Sequence, residues 1–342
     1  MKNWTNATLK SIANQLNISI STVSRALTGQ SEKYRISKKT TQLILDTAKK
    51  LDYEPNQLAR GLRLKKTNTI GIIVPDITNP FFSQIIRWIE NSARENGISI
   101  LISDSNDETE LEKLSVDIFA SRKIDGLIIS PVGEESSHLI KARNKNIPIV
   151  LIDRNFKGLN LPFVGSDNYN GTKEAVEYLI ANGHRRIGFL QGLTDSSVNQ
   201  DRIKGYVQAL KENGFAFEPD LVVGNNFGEE SGYMGSKLLL NTSKNITAVF
   251  AASNLIALGA IRAIREEKLK IPEDISIISF DDQTYAEFIA TPLTTVAQQS
   301  RVIGQIAYKT LGDMIYLKED KKDTQIQLST RLIIRDSVRK IN

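Results

Sequence analysis

From residue 70 onward the chain alternates short Val/Ile-rich runs with amphipathic helical stretches. The runs are IGIIV (70–74), ISILI (98–102), GLIIS (126–130) and IPIVLID (147–153), followed by RIGFLQ (186–191), LVVG (221–224), AVFAA (248–252) and ISIISF (275–280). Continuous apolar strands separated by helices need a parallel sheet covered on both faces. Eight such strands could close into a barrel. The longer gap near 154–185 and the additional segment TTVAQQS (294–300) favour two doubly wound lobes instead. In open sheets of this type a ligand sits beyond the carboxyl ends of the strands.

The loops at those ends read PDITNPFF (75–82), SDSND (103–107), DRN (153–155), QGLTDSSVNQDR (191–202), NNF (225–227), Ala252-Ser253-Asn254 and FDD (280–282). Their Asp and Asn acceptors, Arg donors and Phe rings suit a neutral, hydroxyl-rich small molecule. Each residue alone has a plainer explanation, since Asp153 and Asp281 could cap the helices that follow. Recurrence at successive strand ends carries the expectation.

Residues 8–27, TLKSIANQLNISISTVSRAL, have a different texture. Leu9, Ile12, Ala13 and Leu16 recur at the spacing of one helical face, with Thr8 where an N-cap belongs. Asn17 and Ile18 interrupt the pattern, and Ser19 can cap a second helix with Ile20, Val23 and Leu27 inward. Ser21, Thr22, Ser24 and Arg25 are then left pointing outward. That face suits a major groove, where hydroxyls read several base edges and arginine can bond guanine bidentately. A third helix is expected from a Ser37 cap to about Leu51, burying Leu43, Ile44, Thr47, Ala48 and Leu51. The three helices make a headpiece of roughly fifty residues, small but within the range that folds.

Charge points the same way. Residues 1–68 hold thirteen Lys or Arg against four Asp or Glu, while the remainder holds 31 against 35. A basic head on a mildly acidic body indicates a polyanion partner for the head. Tyr53-Glu54-Pro55 ends the headpiece. The next stretch, residues 56–68, is basic and contains Gly61. It reads either as a plain linker or as a segment that orders on DNA, capped by Asn56, with Leu62 as a minor-groove wedge.

An enzyme finds little support. The segment GSDNYNGTK (165–173) has the wrong glycine spacing for a phosphate loop and transposes the lysine and hydroxyl. His138 and His184 stand apart without partners at metal-ligand spacing and read as surface or helix-end residues, so neither a metal nor a cofactor is expected. With no cysteine, no secretory leader and no membrane-length apolar run, the expectation is a soluble cytoplasmic protein.

The whole chain resembles the lactose-repressor and purine-repressor family of bacterial transcription regulators. The resemblance rests on TLKSIANQLNISISTVSRAL, YEPNQLARGL, NPFF (79–82), GHRRIGFLQG (183–192), DRIKGY (201–206), PEDISIISFDD (272–282) and PLTTVAQ (292–298). It implies a headpiece over 1–54, a hinge over 55–68 and an effector-binding, dimerising body over 69–342. Within the body it implies one lobe of about 69–165 with 299–326, and a second of about 166–298 with 327–342. It further implies a homodimer on a near-palindromic operator, with an effector between the lobes altering DNA affinity. By position, Ile20, Ser21 and Arg25 would read bases and Leu62 would enter the minor groove. The body is also similar to ribose-type periplasmic sugar-binding proteins. On that likeness Asn79, Phe81, Phe82, Asp153, Arg154, Arg202, Asp281 and Gln298 line the cleft, with Asp76, Phe227, Ser253 and Asn254 beside them in the same loops. Ser253-Asn254 stands where the pattern has Asn-Asp, which leaves a nucleobase or nucleoside effector open beside a sugar.

Overall fold

The computed structural model describes residues 7–53, 66–156, 158–242, 245–321 and 323–341. The expected hinge contacts at Asn56 and Leu62 lie outside these residues. The chain divides into two compact units, Met1–Thr67 and Asn68–Asn342.

In the first unit, α1 spans Leu9–Leu16, α2 spans Ile20–Leu27 and α3 spans Lys38–Lys50. Thr8 caps α1 through a reciprocal pair with Ser11: the Ser11 amide donates to Thr8 Oγ1 at 3.2 Å and the Thr8 amide to Ser11 Oγ at 2.7 Å. Ser19 and Ser37 cap the other two helices, each accepting at 3.1 Å from the backbone amide three residues on. Asn17 ends α1 in the left-handed region at φ 52°, which an asparagine tolerates. Ile12, Ala13, Val23, Ala26, Ile44 and Ala48 form the core; Ile18 packs against it, and so does Leu51, as expected.

Three expectations for the headpiece are corrected. Leu43 is 52% exposed, because the buried stripe of α3 runs through Ile44, Thr47 and Ala48 and leaves Leu43 beyond its edge. Ile20 is 47% exposed and does not join the core. It lies in the first turn of α2, a full two turns before Leu27 on the same azimuth. Ser24, expected outward, is buried at 7% exposure, since Val23 and Ala26 rotate the inner face of α2 toward it.

The second unit contains two six-stranded sheets rather than a barrel. In chain order the first five strands are β1 (Thr69–Val74), β2 (Ser99–Asp104), β3 (Gly126–Ile129), β4 (Ile149–Ile152) and β5 (Phe163–Ser166). The next five are β6 (Ile187–Leu190), β7 (Val222–Val223), β8 (Ala248–Ala251), β9 (Ser276–Phe280) and β10 (Thr294–Ala297). Finally β11 (Gln325–Leu328) joins the first sheet and β12 (Arg331–Ile333) the second. The orders are β11-β5-β4-β3-β1-β2 and β12-β10-β9-β8-β6-β7. All pairs are parallel except β10 with β12.

Helices follow most strands: α4 (Pro80–Glu95), α5 (Thr109–Ser121), α6 (Ser137–Asn144), α7 (Asn168–Ala181), α8 (Ser197–Glu212), α9 (Glu229–Thr242), α10 (Asn254–Glu266) and α11 (Ser300–Gly312). The first sheet has a core on each face. Ile72, Val74, Ile128, Val150 and Ile152 face α4 and α11, while Ile73, Leu127, Ile129 and Leu151 face α5 and α6. The chain crosses between lobes after β5, after β10 and after β11. Gly304 lets α11 lie against α4, since a Cβ there would come within 2.8 Å of the Ile85 carbonyl.

The phosphate-loop lookalike is a strand-to-helix junction. Gly165 lies in β5 and Asp167 caps α7, accepting from the Asn170 amide at 3.0 Å. Both histidines are buried, not on the surface. His138 bonds Glu112 at 2.6 Å between α6 and α5. His184, just past the end of α7, bonds Thr247 Oγ1 at 2.9 Å and the Arg339 carbonyl at 3.1 Å. Burial holds the His184 imidazole below its usual range.

Candidate functional site

The carboxyl ends of the strands of both lobes face a common cleft of about 340 Å³. Eleven of the twelve expected effector residues line it: Asp76, Asn79, Phe81, Phe82, Asp153, Arg154, Arg202, Phe227, Ser253, Asp281 and Gln298. The twelfth, Asn254, is buried beside it, and its Nδ2 donates across the lobes to Asn79 Oδ1 at 3.2 Å. The same Asn79 oxygen accepts from the Phe81 amide at 3.0 Å, so Asn79 caps α4 and fixes both phenyl rings at its start. Phe81 and Phe82 meet edge to face, with centroids 5.0 Å apart.

Asp153 and Asp281 cap no following helix, contrary to the simpler expectation. Both adopt positive φ, 59° and 71°, directly after β4 and β9. This turns their carboxylates into the cleft. Burial pushes the Asp153 carboxyl up to about 6, against the pull of Arg154 and Arg202 and with the aid of the neighbouring Asp281 and Asp107 carboxylates. Burial also raises Asp281, while Arg202, Gln298 and the Asn254 amide oppose it. Gln298 Nε2 donates to Asp281 Oδ1 at 2.5 Å, and the Asn254 amide donates to Oδ2 at 3.4 Å.

Two arginines face these acids. Arg202, on α8, donates from Nε to Asn168 Oδ1 at 2.9 Å and from Nη1 to the Ala252 carbonyl. Its guanidinium lies 3.6 Å from the centroid of the Phe280 ring. Arg154 donates to Asp107 Oδ1 at 2.6 Å and sits 5.3 Å from the Phe227 ring centre, which belongs to the other lobe. Further bonds span the lobes. Gln84 donates to Gln283 at 3.1 Å, and the Asn155 amide donates to Ser197 Oγ at 3.1 Å. Ser253 caps α10, accepting from the Ile256 amide at 3.2 Å, and donates to the Phe227 carbonyl at 3.1 Å.

Several polar atoms around the cleft are buried without a hydrogen-bond partner: Asn254 Oδ1, Gln298 Oε1 and Arg154 Nε, which lies 3.9 Å from Asp153 Oδ2. One is a donor and two are acceptors, so a hydroxylated molecule, which both donates and accepts, complements them. Sequence reasoning did not single out Asn106, Asp107, Val198, Asn226 or Leu255, which also line the cleft. Asp107 and Asn226 lie in strand-end loops already visible in the sequence. Val198 lies in the strand-end stretch QGLTDSSVNQDR (191–202), and Leu255 carries no signal apart from its helix start.

On the headpiece, Ser21 and Arg25 are exposed along α2 and Thr22 is half-buried. The Thr8 and Ser19 hydroxyls serve as caps at the starts of α1 and α2. Ser19 Oγ lies 2.8 Å from both Ser21 Oγ and Thr22 Oγ1. These short hydroxyls form one polar edge with Ile20 beside them.

Among the described residues no group of three His, Asp or Glu could hold a metal. No helix among them is long and apolar enough to cross a membrane.

Residues 8–56 match the family described as bacterial regulatory proteins, lacI family, and residues 176–338 match the periplasmic binding protein-like domain. The HTH-type transcriptional repressor CytR of Escherichia coli (strain K12) is 34% identical over 338 residues, covering 99% of this chain and 98% of that protein. Among solved structures, the Lac repressor dimer bound to operator and the anti-inducer ONPF superposes with a TM-score of 0.85 at 26% identity, over 98% of this chain and 99% of the other. The transcriptional regulator CelR in complex with cellobiose matches with a TM-score of 0.74 at 27% identity, over 97% and 100%. The chain belongs to the lacI family of bacterial regulatory proteins. It is a DNA-binding transcription regulator with a helix-turn-helix headpiece and a two-lobed α/β body.

Proposed function

We propose that this protein is a cytoplasmic homodimeric repressor whose operator affinity is set by a sugar bound between the two lobes of its body. Residues 1–54 read DNA, 55–68 form the hinge and 69–342 bind effector and dimerise. The observation that carries the sugar is the cleft itself. Two raised carboxylates, two arginines, and unpartnered donor and acceptor atoms converge beside Phe81, Phe82 and Phe227. Rings cover the apolar face of a pyranose or furanose while charged groups bond its hydroxyls. The CelR–cellobiose complex, with the same architecture, supports the same class of ligand.

Closing both lobes on one molecule shifts the equilibrium between two lobe arrangements in proportion to the difference in affinity. The protein acts by binding, not by turnover, as its regulator family supports. The dimer is supported by exposed apolar side chains at helical spacing: Leu111, Leu114 and Ile118 on α5, and Met234 and Leu238 on α9. A nucleoside is the second reading, favoured by Ser253-Asn254 in place of the Asn-Asp of the family pattern. A thermal-shift screen with pentoses, hexoses, disaccharides and nucleosides tests the choice. A sugar that raises Tm and changes operator affinity supports the proposal; a response to nucleosides alone overturns the sugar.

A further inference from the structure

The loop joining α2 to α3 holds an aromatic ring against the one cation on the outer face of α2. The Arg25 guanidinium carbon lies 3.9 Å from the centroid of the Tyr34 ring. Neither residue belongs to the core: Arg25 is exposed and Tyr34 is 41% exposed. The loop that carries Tyr34 is nevertheless well tied. The Gln30 amide donates to the Arg25 carbonyl at 2.9 Å, and the Tyr34 amide donates to the Gln30 carbonyl at 3.2 Å. On the far side Ile36 packs on the headpiece core, its amide donating to the Ser31 carbonyl at 2.9 Å, and Thr41 Oγ1 reaches Ser31 Oγ at 2.8 Å. The backbone that carries the ring is thus tied by bonds that begin at Arg25 itself.

We infer that Tyr34, outside the recognition helix, is a positioning residue that holds the Arg25 guanidinium ready to read a base. The inference rests on the reading of α2 as the base-reading helix. Its physical content lies in the geometry of the guanidinium. Stacking uses the face of the planar group and leaves its N–H donors free around the edge, where a guanine O6/N7 pair must meet them. An arginine loses considerable rotamer freedom when it docks on a base. A stacking partner already present in the free protein removes part of that loss before DNA arrives. Lys33 Nζ lies 5.9 Å from the opposite partner of this stack, the same tyrosine ring, and adds positive charge beside it for the phosphate backbone.

The test uses the full-length protein and a duplex selected by that protein from a randomised pool, with a scrambled duplex as reference. Tyr34→Ala weakens the selected duplex about two- to five-fold, the range of an exposed cation–π contact, and leaves the scrambled duplex unchanged. Tyr34→Phe, which keeps the ring and removes the hydroxyl, binds like the parent. In an Arg25→Ala background Tyr34→Ala adds no further loss, because the group it positions is gone. If Arg25→Ala is selective while Tyr34→Ala is silent, or its loss persists in the Arg25→Ala background, the positioning role is overturned and base reading stands. If Tyr34→Phe loses as much as Tyr34→Ala, the hydroxyl contacts DNA directly and the positioning role is likewise overturned. If Arg25→Ala weakens both duplexes equally, the base-reading role of Arg25 fails, and the role of Tyr34 falls with it.

Discussion

Asp153 and Asp281 occupy equivalent places in the two lobes. Each directly follows the fourth strand of its own sheet in chain order, β4 or β9, and each is a non-glycine residue at positive φ, 59° and 71°. The strand orders β2-β1-β3-β4-β5 and β7-β6-β8-β9-β10 repeat one another, so the cleft is lined from both sides by the same topological position. Two carboxylates brought together in this way raise each other's cost of ionisation.

A pH-dependent stability follows for the ligand-free protein. The Asp153 carboxyl is raised from 3.8 to about 6, so the fold binds its proton more tightly than the unfolded chain does. Its stabilising contribution is full below the unfolded value and is lost as pH rises through about 6. Asp153→Asn, which cannot ionise, should therefore raise stability at pH 8 by about 1–3 kcal/mol and by about a third as much at pH 4.5. Thermal unfolding at the two pH values checks this. A variant less stable than the parent at pH 8 would show that the ionised carboxylate is satisfied in the empty cleft.

Arg202 should show the opposite sign. It is the buried cation facing both acids, and it is held by Asn168 and by the Ala252 carbonyl. Arg202→Ala leaves Asp281 without its countercharge and Asp153 with Arg154 alone, and should cost about 3–5 kcal/mol near pH 8, with a smaller loss at pH 4.5 where Asp153 is largely protonated. Chemical denaturation at both values measures the difference. An equal loss at both would make Arg202 a packing residue.

Much of this was legible in the sequence because parallel strands buried on both faces are continuous apolar runs. Eight of the twelve strands among the described residues announced themselves that way, and a ninth, β10, as an extra segment. The strands β5 (FVGS), β11 (QIQL) and β12 (RLI) did not. They are short, partly polar or at sheet edges, and β11 finds its place only by pairing with β5 far back in the chain. The cleft loops were visible for the same reason the strands were, since they begin where the apolar runs stop. The turn of α2 was harder. Eight residues give too few turns to define an azimuth, so Ser24 and Ile20 exchanged faces relative to the expectation.

Base reading by the headpiece has its own test. Arg25→Ala should cost about 1–3 kcal/mol on the operator and little on random DNA, because a bidentate base contact carries sequence information. Titrations of both duplexes at one salt concentration decide it. Equal losses would reduce Arg25 to a phosphate contact.

The central claim is that a molecule held between Asp153 and Asp281 controls DNA binding. Asp281 accepts from Gln298 at 2.5 Å and from the Asn254 amide at 3.4 Å, so its carboxylate ties several elements of the second lobe to the cleft. The decisive measurement is an operator titration of the parent and of Asp281→Asn, each with and without the sugar that most stabilises the parent. The parent should change affinity about 5- to 150-fold on adding ligand, the range of ordinary allosteric coupling. The variant should bind operator like the parent without ligand and change less than about two-fold with it. A variant that responds as fully as the parent, or a parent whose operator affinity ignores a ligand bound in the cleft, would contradict the account.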